Sequence, residues 1–527
     1  KIDYDDALNV LTMICDIKRD EEKQSRFNNL KLTYGKPEIE NIGFTGVQNI
    51  IGSQRAQKLS EWLQKTFDVE SYDLATLPNT SVMEVNSLSR PEDVNETNMA
   101  KGLSSYLKNK ALFCFDDKHW YLWNGKHWEK DKKRKIVNIT TDFLISSIQI
   151  IIENRRFDIA QRMMSFQSRQ KIENIMELAK PKLAVSLTDF DTKPMQLCID
   201  NGVIDLNSGE LLEAKSDMMH SKFAPIDYNP EADCPAFKRF MNDVFNADDE
   251  VINYIQKVVG YTLTGNIHEQ CLFMLIGSGA NGKSTLVNIL SKMMGTYATN
   301  TAARTFMATA NDNVGDDLVR LSGARMITAS ETEHGQRFAE AKIKSFTGGD
   351  TITARPLYGE YINFKPKGKI WLTTNNRPEI RGSDDGIWRR IKEIPFKRQF
   401  TSEEQDKELE YKLVLEMSGI LNWAIEGCLK MQSEGLTIPA SIEKSVKEYR
   451  QEMDTVSSFI DEMCVQSPDT TTVSTMYESY RDWCQTQRCH AVGKGQFGKA
   501  MQEHGYVQER DRNGRYWKGV SIFRLAA

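Results

Sequence analysis

The sequence predicts an α/β protein with a parallel sheet at its centre, and three observations predict it. Residues 271–276 (CLFMLI), 326–329 (MITA) and 370–374 (IWLTT) are short apolar runs, the pattern of strands buried on both faces. Helical segments separate the runs, which is the alternation that builds a parallel sheet. The first run leads into Gly277-Ser-Gly-Ala-Asn-Gly-Lys-Ser284, and a helix begins near Lys283 with Leu286, Ile289 and Leu290 on its inner face.

The remaining elements follow in chain order. Residues 1–95 read as mainly helical, with Leu8, Leu11, Ile14 and Cys15, then Leu59, Trp62 and Leu63, at helical spacing. They are expected to form a connector or a recruitment domain. Residues 77–98 are rich in Pro, Asn, Ser and Thr and read as a linker. Residues 96–235 are expected to be a mixed α+β region: a hairpin over 112–128 turning at Asn124-Gly125, helices over 135–185, and a second β-unit over 198–212. A core domain is expected over 236–402, a helical extension over 403–455, and a last domain over 456–527 made of three helices and a β-hairpin.

Composition narrows the function classes. Lys plus Arg is 68 and Asp plus Glu is 73 in 527 residues, a net charge of −5. This excludes a uniformly basic nucleic-acid coat but leaves room for a local basic channel. Nine cysteines without a CxxC pair exclude a disulfide scaffold and point to reduced thiols in a cytoplasmic protein. Cys484, Cys489 and His490 fall short of the four ligands of a structural zinc site. No transmembrane span is expected, and the run over 143–152 reads as a core helix. The chain opens on Lys1, the expected mark of a piece of a longer polypeptide.

The chemistry concentrates around the glycine-rich turn. Gly277, Ser278, Gly279, Ala280, Asn281 and Gly282 let successive backbone N–H groups turn towards phosphate oxygens, and the helix N-terminus adds its positive end. Lys283 supplies a point charge for the terminal phosphates, Ser284 a hydroxyl for Mg²⁺, and Thr285 completes the motif. A carboxylate on a neighbouring strand is also required, and Glu331, at the end of 326–329, is the first candidate for activating water and holding metal. Glu333 is the second, and Ser330 stands beside them. Asn375 and Asn376 end the third strand, where an amide can hold water or sense a phosphate. Arg389 and Arg390 offer a guanidinium to a neighbouring subunit or to an internal salt bridge. Residues 348–364 read as a hairpin with its tip at 357–359 and with Lys365, Lys367 and Lys369 behind it; a phosphate-tracking element and an edge hairpin fit equally.

The run 324–396, together with GSGANGKST, resembles the superfamily 3 helicase domain of the phage/plasmid primase and poxvirus-type primase–helicase family. Trp120-Tyr-Leu-Trp-Asn-Gly-Lys-His-Trp128, Asn201-Gly-Val-Ile-Asp-Leu206, Tyr228-Asn-Pro-Glu-Ala-Asp-Cys-Pro235 and Gly260-Tyr-Thr-Leu-Thr-Gly265 are similar to the domain that family carries before its ATPase. The tail, with Tyr477–Trp483, Phe497–Ala500 and Trp517–Gly519, is similar to a winged helix. The resemblance implies an AAA+-like core in a ring, usually a hexamer, that hydrolyses ATP with Mg²⁺ and moves 3′→5′ on single-stranded DNA. By motif, Lys283 and Ser284 are Walker A, Glu331 is Walker B, Asn375 is sensor 1, and Arg389 or Arg390 is the arginine finger. Arg355, Tyr358, Lys365 and Lys367 fall on the DNA-contacting hairpin. Ser330 stands where many members have a second acid, which leaves the direct metal ligand open.

Members often carry a primase module before the helicase; residues 1–95 are too few for one and lack a DxD motif followed by His. The expected function is replication in the host cytoplasm, on forked DNA and with other replication proteins. The tail's Arg481, Arg488, Lys494, Lys499, Arg510, Arg512, Arg515 and Lys518 suit duplex contact. The rival readings are an ATP-switched origin-binding initiator or loader, the helicase half of a primase–helicase, and a packaging motor.

Overall fold

In a computed structural model the described residues are 88, 90–309, 316–330, 335–355, 361–380, 385–487, 489–512 and 514–523. The expectation for residues 1–95 lies almost wholly outside them.

The first part is mixed α+β, as expected. Helix α1 (Glu96–Tyr106) is capped by Asn95, whose side chain accepts from the Asn98 N–H. Strands β1 (Ala111–Cys114), β2 (His119–Trp123) and β3 (Trp128–Lys130) form an antiparallel meander, and β4 (Ala184–Val185) joins β1 in parallel. Trp120 and Trp128 are buried, and the Trp128 indole N–H donates to the Ser216 carbonyl at 2.8 Å, so the tryptophans build core. Helices α2 (Lys135–Glu153), α3 (Phe157–Met164) and α4 (Arg169–Ala179) follow. Contrary to the expectation from sequence, α2 is long and apolar enough to cross a membrane by composition; it buries Phe143, Leu144, Ile148 and Ile151 within the protein. Strands β5 (Gln196–Ile199), β6 (Gly202–Asp205) and β7 (Glu210–Leu212) form a second meander.

Two helices lead into the core: α5 (Pro235–Val244), with proline at its first turn, and α6 (Asp249–Leu263), capped by Asp248. The central sheet has five strands: β8 (Leu272–Ile276), β9 (Ala298–Ala302), β10 (Met326–Ser330), β13 (Lys369–Thr374) and β14 (Ile391–Pro395). All pairings are parallel and the order is β14–β8–β13–β10–β9. Helices α7 (Lys283–Met294), α8 (Asp316–Val319), α9 (Glu340–Gly348) and α10 (Asp385–Trp388) connect them, and β11 (Ile352–Ala354) and β12 (Ile362–Phe364) form the expected hairpin.

Helices α11 (Leu409–Leu415), α12 (Met417–Glu434) and α13 (Ala440–Met453) complete this body. Glycines set the α6–α12 contact. A Cβ on Gly260 would lie 2.1 Å from the Cys428 nitrogen, and one on Gly427 would lie 2.1 Å from the Gln256 carbonyl oxygen. The two backbones therefore touch. One continuous hydrophobic core joins Leu197, Ile204 and Leu206 to α5, α6, the sheet and α12, and so crosses the boundary expected at residue 235.

Buried cations reinforce that join. The Arg325 guanidinium is 2 % exposed; it donates to the carbonyls of Leu263 (2.5 Å), Gln196 (2.6 Å) and Lys193 (3.5 Å) and lies over the Tyr297 ring. Lys369 donates to the carbonyls of Thr264 (2.5 Å) and Asn266 (3.2 Å), and burial holds its amine well below the usual lysine range.

The last module has its own core around Phe459, Tyr480, Trp483, Phe497 and Trp517. Its elements are α14 (Thr455–Met463), β15 (Cys464–Thr472), α15 (Val473–Gln487), α16 (Lys494–Glu503), β16 (Val507–Asp511) and β17 (Gly514–Ile522). The expected three helices and hairpin are present, and β15, which the sequence reading lacked, makes a three-stranded antiparallel sheet, β15–β17–β16.

Candidate nucleotide site

The parallel sheet carries the C-terminal ends of all five strands to one edge, where crevices for ligands form in open α/β sheets. The glycine-rich turn leaves β8 at that edge. Its backbone is fixed from both sides: the Phe396 N–H donates to the Ile276 carbonyl at 2.7 Å, and the Phe400 N–H to the Ala280 carbonyl at 2.8 Å. Gly277 is required by space, since a Cβ there would sit 2.3 Å from Asn281 Nδ2 and 2.6 Å from the Phe396 oxygen. Gly282 has φ of +85° and also faces Val244 and Phe240, so it is required twice over. Gly279 (φ +96°) and Ala280 (φ +46°) are left-handed too, and nothing lies within 4 Å of a Cβ at Gly279, so the turn opens outward there.

Helix α7 begins at Lys283, and the amine of that residue is the centre of the site. It donates to the Gly277 carbonyl at 2.6 Å, to Asn281 Oδ1 at 3.1 Å and to Asn375 Oδ1 at 3.3 Å. Burial lowers its pKa. The fold thus brings together Lys283 and Asn375, 92 positions apart in the chain. Three oxygens held around one ammonium are the environment that phosphate oxygens would replace. Ser278 and Ser284 are exposed, and Thr285 is half-buried. Strand β10 ends at Ser330, opposite Thr373 of β13. Glu331 and Glu333 lie outside the described residues, as does Tyr358. Among the described residues no group of three or more His, Cys, Asp or Glu could hold a metal ion.

The paired arginines part company. Arg389 is exposed. Arg390 is buried and donates to Thr347 Oγ1 (3.0 Å), the Gly386 carbonyl (2.6 Å) and Gln270 Oε1 (3.3 Å). Of the two candidates for a guanidinium offered to a neighbouring subunit, Arg390 spends these donors within its own chain.

The basic flank of the hairpin also divides. Arg355 is exposed, with its guanidinium 5.3 Å from the ring centre of Tyr361, which is 68 % exposed. Lys365 is exposed. Lys367 instead donates to the Asp191 carbonyl at 2.7 Å, and burial lowers its pKa. Lys367, expected on a DNA-contacting hairpin, here ties the hairpin stem to the mixed α+β part. Lys369 is deeper still. Tyr361 was not singled out from sequence, although an aromatic beside Arg355 was a usable signal. Arg377, described below, gave no signal, since its partners come from distant segments.

Three family models match the chain: D5 N terminal like over residues 100–246, a family of unknown function over 275–390, and poxvirus D5 protein-like over 451–519. A protein of Acanthamoeba polyphaga mimivirus with a provisional helicase name is 26 % identical over 446 residues, covering 74 % of this chain and 45 % of its own. A provisionally named helicase of Frog virus 3 is 22 % identical, covering 58 % of this chain and 33 % of its own. A provisionally named primase of African swine fever virus is 22 % identical, covering 56 % and 34 %. The chain thus spans between a third and a half of the length of these relatives. The apo structure of the NrS-1 C-terminal region aligns over 81 % of this chain and 100 % of that one, at 10 % identity and a TM-score of 0.46.

Proposed function

The chain belongs to the poxvirus D5-like primase–helicase family, and on that premise we propose that it is the ATP-driven helicase part of a replication protein of a large DNA virus or similar element. The observation that carries the reading is the Lys283 amine, cradled by its own loop and by Asn375 at the C-terminal edge of a parallel sheet. In chain order the all-parallel sheet reads 5-1-4-3-2, with the glycine-rich turn leaving the strand that comes first in the chain, which suits an AAA+-like core. The element order of the last module, helix, strand, two helices and two strands, suits a winged helix.

When bound, ATP supplies the cleavable anhydride and Mg²⁺ a charge that draws its oxygens together. Lys283 would exchange the Gly277 and Asn375 oxygens for phosphate oxygens. Ser284, at the first turn of α7, would hold the metal, and Glu331 would take the proton of the attacking water. Asn375, released from Lys283, would orient that water. Arg389 would reach the site of the next subunit in a hexameric ring and stabilise the charge of the transition state. The hairpin would present Arg355, Tyr361 and Lys365 to single-stranded DNA, with stacking on the tyrosine and charge from its neighbours. Movement of the hairpins with the nucleotide state would draw the strand through the ring in the 3′→5′ direction.

Strand displacement of a tailed duplex is the test. ATP-dependent separation of a duplex with a 3′ single-stranded tail is expected. Hydrolysis without separation in either polarity would replace the helicase reading with an ATP-switched initiator or loader.

A further inference from the structure

Glu393 is a carboxylate with 0 % exposure in the middle of β14, opposite Met274 of the strand that launches the glycine-rich turn. A charge in that position is costly unless it is fully paired. Arg377 pairs it from two directions, Nε to Oε2 at 3.0 Å and a terminal nitrogen to Oε1 at 2.5 Å, while Ser445 Oγ donates to Oε1 at 2.5 Å. The other terminal nitrogen of Arg377 donates to Glu452, and its guanidinium lies 5.3 Å from the ring centre of Tyr449. The Tyr449 hydroxyl donates to the Pro378 carbonyl, next to Arg377. Ser445, Tyr449 and Glu452 lie at i, i+4 and i+7 on α13, hence on one face of that helix.

Arg377 stands two residues after Asn375, in the turn that leaves β13. Its clamp therefore fixes the turn that aims the Asn375 amide at Lys283. Replacing a buried ion pair with apolar groups is often neutral for stability, so the pair is better explained by the position it imposes than by the stability it adds. We infer that Arg377 is a positioning residue for nucleotide hydrolysis: through Glu393 and α13 it holds Asn375 in register with Lys283. This inference rests on the function proposed above.

The test is a double-mutant cycle on the full chain, with kcat and KM for ATP measured beside the melting temperature. Arg377→Lys keeps the charge and loses the two-point fork. It is expected to lower kcat on the order of tenfold to a hundredfold, the cost of a small misplacement, with KM near that of the parent chain and a lowered melting temperature as Glu393 loses part of its pairing. Asn375→Ala is expected to lower kcat similarly, and the double variant no further, because both changes remove one interaction. Should Arg377→Lys fail to fold, Glu393→Gln, which keeps the shape and weakens the fork, takes its place in the cycle. An unchanged kcat, or effects that multiply with Asn375→Ala, would overturn the inference while leaving the function standing. A parent chain that binds no ATP and hydrolyses none would remove the proposed function, and this inference with it.

Discussion

Lys283→Ala tests the nucleotide site most directly. The amine already has three oxygen partners, at 2.6, 3.1 and 3.3 Å, so a triphosphate must displace those contacts. The net gain is therefore that of a charged hydrogen bond exchanged for a better one, about 1.5–3 kcal/mol. At 1.4 kcal/mol per factor of ten, this becomes a weakening of nucleotide affinity of roughly 10- to 150-fold. The fold should tolerate the change, because truncation also removes the cost of burying the amine, and a melting shift worth under about 1 kcal/mol is expected. Titration with a fluorescent ATP analogue, with thermal unfolding of the same samples, measures both quantities. Affinity that falls by less than about threefold in a folded variant would mean that Lys283 does not read the phosphates, and the site would have to be sought elsewhere.

Other expectations concern neighbouring features. Arg390→Ala should remove a donor shared by Thr347, Gln270 and the Gly386 carbonyl and lower the melting temperature, by about 1–3 kcal/mol in all. Arg389→Ala should leave melting unchanged and slow hydrolysis by about 10³-fold or more, with recovery in rings mixed with a hydrolysis-dead donor subunit. Gly260→Ala should destabilise by about 1–3 kcal/mol in urea titrations, since its Cβ would collide with the α12 backbone; a neutral result would mean the helices part easily. Burial lowers the Lys283 pKa and phosphate favours the ammonium form, so binding takes up a proton. Nucleotide affinity should therefore fall as pH rises through that lowered value, at a less alkaline pH than a solvated lysine would give, and pH-dependent titrations measure the slope. Tyr361→Ala should weaken single-stranded DNA binding by about 1–3 kcal/mol in fluorescence anisotropy, the loss of one stacked base.

The phosphate-type loop was legible in sequence because every feature of it is local: a buried strand, glycines at fixed offsets and an amphipathic helix. Strands β9 and β14 were not. Ala298-Thr-Asn-Thr-Ala302 has no large apolar residue and sits at the sheet edge, where burial makes little demand on composition. Ile391-Lys-Glu-Ile-Pro395 reads as half-exposed because of Glu393, whose burial depends on Arg377 and Ser445 brought in by tertiary structure. Lys365, Lys367 and Lys369 look like one basic stripe, yet they descend from solvent to core along the approach to β13; only the carbonyls of Asp191 and Thr264, remote in sequence, decide which of them faces water. Asn375 was legible as an amide at a strand tip, but its bond to Lys283 was not, and the separation of Arg389 from Arg390 follows from side-chain direction, which composition does not carry.

The guanidinium of Arg325 divides its hydrogens between oxygens on either side of residue 235. A fragment beginning after that residue would keep the Leu263 oxygen, forfeit those of Gln196 and Lys193, and uncover the core that Leu197, Ile204 and Leu206 close. Anyone trimming the gene to obtain the parallel-sheet core alone should carry the preceding hundred or so residues along, since they are upholstery to the same frame.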